Sequence, residues 1–220
     1  MYIANIPLSQ NTTIKQTDTV AFALDRMEDF QFHLLPVVDG DDYLGYIGQN
    51  DLLNALDDQL SIATIHLKTE PIYVKANQHP YDAIRLMTAY HIDALPVLDE
   101  NNKFKGMLTS LELVKTISVL QSLNDIGAII VLEIGTHDFS LSKIAHLIEA
   151  ENCQILNCAT KAVPENDSLQ VIIKVNKSNI SSLLSSFARQ NYKVITSFNT
   201  LQEFDDLDDR YQQLMNYINI

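Results

Sequence analysis

The chain has 220 residues, of which 46% are hydrophobic and 20% charged, enough for one large core or two or three small ones. A net charge of −13 disfavours nucleic acid and anionic membrane surfaces as partners, since both need clustered Lys and Arg. Apolar stretches such as "AIIVL" at 128–132 are too short to cross a bilayer, and "MYIANIPLSQ" lacks the basic segment and apolar core of a signal peptide, so a cytoplasmic protein is expected.

In chain order, "TTIKQ" (12–16) reads as a short strand. "TVAFALDRMEDF" (19–30) places Val20, Ala23, Leu24 and Met27 on one helical stripe, with Asp18 as an available cap. "LLPVV" and "YLGYI" read as strands about the turn "DGDD", and "DLLNALDDQL" (51–60) as a second helix starting at Asn50 or Asp51. Then the order recurs: strand "IYVK" (72–75), a helix from Pro80 at its favoured first position, strands "ALPVL" and "KFKGML", and a helix from about Ser110. Pro36 and Pro96 stand sixty positions apart, as do Asp39 and Asp99; with one extra residue in the second copy, Gly45 falls on Gly106 and Ile47 on Leu108. A proline inside a strand belongs at an edge or a bulge, and both copies put it at the same place.

From Asp125 the pattern changes. Strand "IGAIIVLEIG" (126–135) leads to a helix over 140–152, with Leu141, Ile144, Leu147 and Ile148 on one face. "CQILNCATKAV" and "SLQVIIKV" read as strands about the turn "PEND", "SNISSLLSSFARQN" as a helix capped by Ser178, and "YKVITSF" as a last strand. This β-α-β-β-α-β order is the split-βαβ pattern, a four-stranded antiparallel sheet with both helices on one face. Cys153 and Cys158, at an odd offset along one strand, are expected on opposite faces, unpaired and sharing no metal. The tail 201–220 carries five acids and one Arg, with Leu207, Tyr211, Leu214, Met215 and Ile218 on one stripe; an acidic amphipathic helix is expected, docked on its own domain or on a partner subunit.

The two strand–helix–strand–strand–helix units, each with an apolar-Pro-Val-apolar-Asp strand followed by Gly-x-apolar, resemble CBS domains, and two in tandem resemble a Bateman module. The third segment, with Leu141 after a loop and "AENCQIL" leading into its second strand, is similar to an ACT domain, although "DFSL" stands where that family commonly has a glycine. Together they imply an α/β (α+β) fold: CBS units at 1–61 and 62–122, an ACT-like domain at 125–200 and the helix at 201–220. In domain order the chain also resembles bacterial acetoin-utilisation accessory proteins.

No Gly-rich phosphate loop, His/Cys metal spacing or nucleophile elbow is present in the sequence, and no enzyme is expected. His33 and His91, just ahead of the Pro-bearing strands, read as surface or hinge residues. The CBS resemblance implies an adenosine-nucleotide site, with AMP, ADP, ATP or S-adenosylmethionine as regulatory ligand. The family pattern is Ser or Thr, two residues, then Asp at the start of the second helix. The carboxylate accepts hydrogen bonds from the ribose hydroxyls and the hydroxyl residue helps hold the phosphate. Neither copy is complete: the first keeps Asp51 but has Gly48, the second keeps Thr109 but has Glu112. Both acids also suit the first turn of a helix for purely structural reasons. The ACT resemblance implies a ligand loop around Gly135, Asp138 and Ser140, with an amino acid as its ligand. Three readings stand: a nucleotide-sensing regulator signalling through homodimerisation or a protein partner, a ligand-free assembly module, and amino-acid sensing by the ACT-like domain.

Overall fold

The computed structural model describes residues 1–68, 70 and 72–199, and the tail at 201–220 lies outside them. The chain divides into two compact units, with the division between Ile117 and Ser118. The change of sequence pattern lies a few residues later, at 122–125.

The first unit contains both repeats. Its first copy holds α1 (Val20–Phe30), β1 (Leu34–Asp39), β2 (Asp42–Gly48) and α2 (Gln49–Leu53). The second copy holds β3 (Val74–Lys75), α3 (Pro80–Tyr90), β4 (Ala94–Leu98), β5 (Phe104–Thr109) and α4 (Ser110–Leu120). Val20, Ala23 and Met27 of α1 are buried, as are Ala83 and Met87 of α3 in the same phase. They pack with Leu35, Val37, Leu95, Val97, Ile47 and Leu108 in one core.

Several local expectations are corrected. The segment 12–16 is no strand of its own: Ile14 forms a single parallel bridge to Val37. Thr19, not Asp18, caps α1 by accepting from the Phe22 N–H (3.2 Å), while Asp18 accepts from the Lys15 N–H (2.7 Å). The helix expected over 51–60 stops at Leu53. Leu56 is fully exposed, so nothing rewards its helical placement. The chain beyond instead forms an Asp57 side-chain turn to the Gln59 N–H (2.9 Å) and binds the start of α1 through Val20 N–H to Leu60 C=O (3.0 Å). Pro80 does open α3, with His79 Nδ1 capping it.

Pro36 and Pro96 both sit one residue before a bulge, at Val37/Val38 and at Val97/Leu98. β4 is the middle strand of the order β3-β4-β5, so the bulge rather than an edge accommodates Pro96. Each repeat sends a single bridge to the other: Ser9 bridges to Met107 of the second copy, and Lys68 bridges to Tyr46 of the first. This explains the repeated glycine. Gly45 and Gly106 share φ +145, and a Cβ there would lie 2.7 Å from the Lys68 carbonyl oxygen and 2.7 Å from Leu8 Cβ respectively.

The second unit is a four-stranded antiparallel sheet of order β7-β8-β6-β9, built from β6 (Ala128–Gly135), β7 (Ile155–Val163), β8 (Ser168–Val175) and β9 (Lys193–Asn199). Helices α5 (Leu141–Ala150) and α6 (Ser181–Arg189) supply Ile144, Ile148, Leu183 and Phe187 to a core with Ile130, Leu132, Val171 and Ile173. The βαββαβ order and this strand arrangement are those of the split-βαβ fold. Leu141, expected on the buried face, is half exposed at the helix start. Ser178 is buried and Ile180 precedes α6, whose first N–H is bonded by Asn179 Oδ1 (3.2 Å).

The cysteine expectation also changes. Cys153 precedes β7, and a bulge at Leu156 shifts the strand's phase. Cys153 and Cys158 therefore pack against the same core, both as free thiols. Burial raises the pKa of each.

Candidate functional site

In the first CBS-like copy, β2 delivers the chain to Gly48, and Asp51 is the third residue of the short α2 rather than its first. Asp51 Oδ2 accepts from the Gly48 N–H at 3.1 Å and pairs with Lys68 Nζ at 2.9 Å. Lys68 is held by its backbone, through N–H to Tyr46 C=O and Tyr46 N–H to Lys68 C=O, both 3.0 Å. The Tyr46 hydroxyl donates to the Glu70 carboxylate (3.2 Å). Burial first, and then that bond to an anion, push the Tyr46 phenol up to about 12.

In the second copy, Thr109 Oγ1 accepts from the Glu112 N–H (3.3 Å), and Glu112 pairs with Lys115 one turn along its own helix (2.6 Å). The hydroxyl thus caps the helix, and the longer carboxylate is drawn along it. The two pairs, Gly48 with Asp51 and Thr109 with Glu112, each come together within their own copy.

His33 and Asp93 are repeat counterparts, sixty positions apart. The His33 carbonyl accepts from Gln49 N–H (2.9 Å) and the Asp93 carbonyl from Ser110 N–H (2.8 Å), while their side chains meet each other at 3.3 Å. The surface reading of His33 therefore gains a defined partner. His91 ends α3 in a left-handed conformation.

Sequence reasoning missed Lys68. It lies near the start of the second copy, and its bridging counterpart is Ser9, so the repeat gives no hint of a cation there. A cleft of about 360 Å³ runs between α1 and α2, lined by His33 and Gln49 among others, and neither Gly48 nor Asp51 lines it.

The second unit has a cleft of about 520 Å³. Gly135 and Asp138 of the expected loop line it, joined by Lys143, His146, Tyr192 and Lys193. Gly135 and Asp138 form a tight turn, the Asp138 N–H bonding the Gly135 carbonyl at 2.9 Å. Ser140 is not in the lining; its hydroxyl lies 3.0 Å from that of Ser142. Lys193 is paired with Glu133 at 3.0 Å. Among the described residues no group of three His, Cys, Asp or Glu is placed to hold a metal ion, and no helix is long and apolar enough to cross a membrane.

A duplicated strand–helix unit, with a bridge from each copy to the other and an acid in the first turn of each second helix, defines a tandem-repeat module. The CBS-domain profile matches residues 3–58 and 62–119, and the chain belongs to the CBS-domain family. It is 30% identical over 151 residues to inosine-5'-monophosphate dehydrogenase of Methanocaldococcus jannaschii, covering 67% of this chain and 30% of that protein. The chain thus spans about a third of the length of that relative. Among solved structures it is similar to a CBS domain pair/ACT domain protein from Thermotoga maritima, at 23% identity and TM-score 0.48, over 53% of this chain and 96% of the other. It is also similar to a protein from Vibrio cholerae ascribed to acetoin utilization, at 22% identity and TM-score 0.47, over 56% and 95%.

Proposed function

We propose that this is a non-catalytic regulatory protein whose CBS pair binds an adenosine-containing nucleotide, AMP, ADP, ATP or S-adenosylmethionine, and transmits the binding through homodimerisation or a protein partner. The observation that carries this reading is Asp51. Its carboxylate stands where β2 passes into α2, is partly exposed, and is bound by one backbone N–H and one flexible ammonium. A ribose diol can take the place of the ammonium on that carboxylate. A reducing compartment such as the cytoplasm suits the two free thiols.

A thermal-shift screen tests the reading, since a ligand that binds only the folded state raises its stability. Adenine nucleotides are expected to raise the midpoint. No response to any of them at millimolar ligand would favour the ligand-free assembly module instead. Light scattering is expected to give a dimer at micromolar protein, and a monomer would remove the dimerisation route.

A second reading has its own support in the second unit. A cleft that sets Asp138 and Glu133 near Lys143 and Lys193 offers both signs of charge to a zwitterion, so amino acids belong in the same screen.

A further inference from the structure

We propose that Lys68 is the phosphate-binding residue of the first nucleotide site, standing in for the hydroxyl that Gly48 lacks, and that it makes this site rank adenosine ligands by phosphate charge. The proposal rests on the nucleotide reading above and deepens it.

The placement is specific. A Cβ built on Gly48 would lie 3.1 Å from Asp51 Oδ2 and 3.8 Å from Lys68 Nζ. The ammonium therefore stands beside position 48, next to the place where a Ser or Thr would carry its side chain. The backbone of Lys68 is fixed by its two bonds to Tyr46, and its carbonyl is the group that leaves no room for a side chain at Gly45. The stem is anchored while the head group is half exposed and can swing. The neighbouring charges, Asp51 and Glu70, are negative, and without Lys68 they would repel a phosphate.

One lysine then does two jobs. In the empty site its ammonium neutralises Asp51; a pair this exposed adds little stability and is readily exchanged. In the loaded site Asp51 accepts from the ribose diol, and the released ammonium turns to the phosphate, a charge-assisted contact that strengthens with phosphate charge. The second copy is built differently. Its bridging segment brings Ser9 instead, and Glu112 is paired along its own helix with Lys115. An empty position 48 by itself implies a site nearly indifferent to phosphate number; Lys68 reverses that expectation.

The test is calorimetric titration of adenosine, AMP, ADP and ATP into the full chain as wild type, Lys68→Met and Lys68→Arg. Methionine keeps an unbranched apolar stem and leaves the backbone bonds to Tyr46 in place. Wild type should bind ADP and ATP about tenfold or more tighter than adenosine. Lys68→Met should lose about tenfold or more for ADP and ATP while adenosine changes by less than about twofold. Lys68→Arg should keep most of the preference, and added salt should weaken ATP binding more steeply in wild type than in Lys68→Met. Equal ADP and ATP affinity in wild type and Lys68→Met would overturn the proposal and leave the nucleotide reading intact. An equal loss for all four ligands would also overturn it, because Lys68 would then act by holding Asp51 and not the phosphate. If wild type binds none of the four, the nucleotide reading itself fails and this proposal with it.

Discussion

Replacing Gly45 by Ala should destabilise the first unit far more than the loss of one flexible residue suggests. Two costs add. An L side chain at φ +145 is held in a sparsely populated conformation, about 1–3 kcal/mol. The new Cβ would also stand 2.7 Å from the Lys68 carbonyl oxygen, which is backbone and cannot rotate away. Such overpacking costs about 1–3 kcal/mol, so the sum is about 2–6 kcal/mol. The segment that must retreat carries Lys68, so nucleotide binding should weaken as well. Gly40 is the control: its φ is +60 and nothing lies within 4 Å of an added Cβ. Gly40→Ala should cost only about 1–2 kcal/mol, the penalty of a left-handed residue. Urea denaturation of wild type and both variants, read by linear extrapolation, gives the comparison. A Gly45→Ala cost equal to that of Gly40→Ala would refute the close-approach explanation, and with it the reason given for the glycine's recurrence at 106.

Other outcomes follow from the same geometry. Asp51→Ala should lower nucleotide affinity about 10- to 150-fold by calorimetry, the worth of a charge-assisted bond, while the fold loses about 0.5–1.5 kcal/mol with the Gly48 N–H bond. Glu112→Ala, which breaks only an exposed pair with Lys115, should leave that affinity within about twofold, and a loss matching that of Asp51→Ala would move the main site to the second copy. Tyr46 has a phenol pKa raised from 10.0 to about 12, so its contribution to stability is full below pH 10 and is lost as pH rises through about 12. The difference titration between wild type and Tyr46→Phe should show that late phenolate step, and a step near 10 would contradict the burial and the Glu70 bond. Expression of residues 1–122 alone should give a cooperatively unfolding unit, and an aggregated or unfolded product would show that the two parts make one core.

The repeat made most of the first unit legible. Val20, Ala23 and Met27 on α1 and Ala83 and Met87 on α3 announce their buried faces through period and recurrence alone, and all are buried. What the sequence hid depends on distant chain. Whether 51–60 continues as a helix turns on whether Leu56 finds a surface to bury, and it finds none. The faces of the two cysteines turn on a bulge at Leu156 that no pattern marks. The geometry of the candidate site was half legible. Gly48, Asp51, Thr109 and Glu112 are visible as an incomplete motif, and the structure gives each pair a capping geometry. Lys68 was invisible, because its place beside Asp51 comes from a bridge between the copies, where its counterpart is a serine. In the loop after β6, Gly135 and Asp138 reach a cleft through the turn they share, while Ser140 is carried past it into the start of α5.

The most direct measurement of the central claim is a nucleotide titration of isotope-labelled protein followed by backbone amide NMR. ADP or ATP should shift the amides of Gly48, Asp51 and Lys68 together, along one saturating curve, with Glu112 and the second unit lagging or unmoved. An unchanged spectrum at millimolar nucleotide, or shifts that gather away from Asp51 and Lys68, would contradict the account.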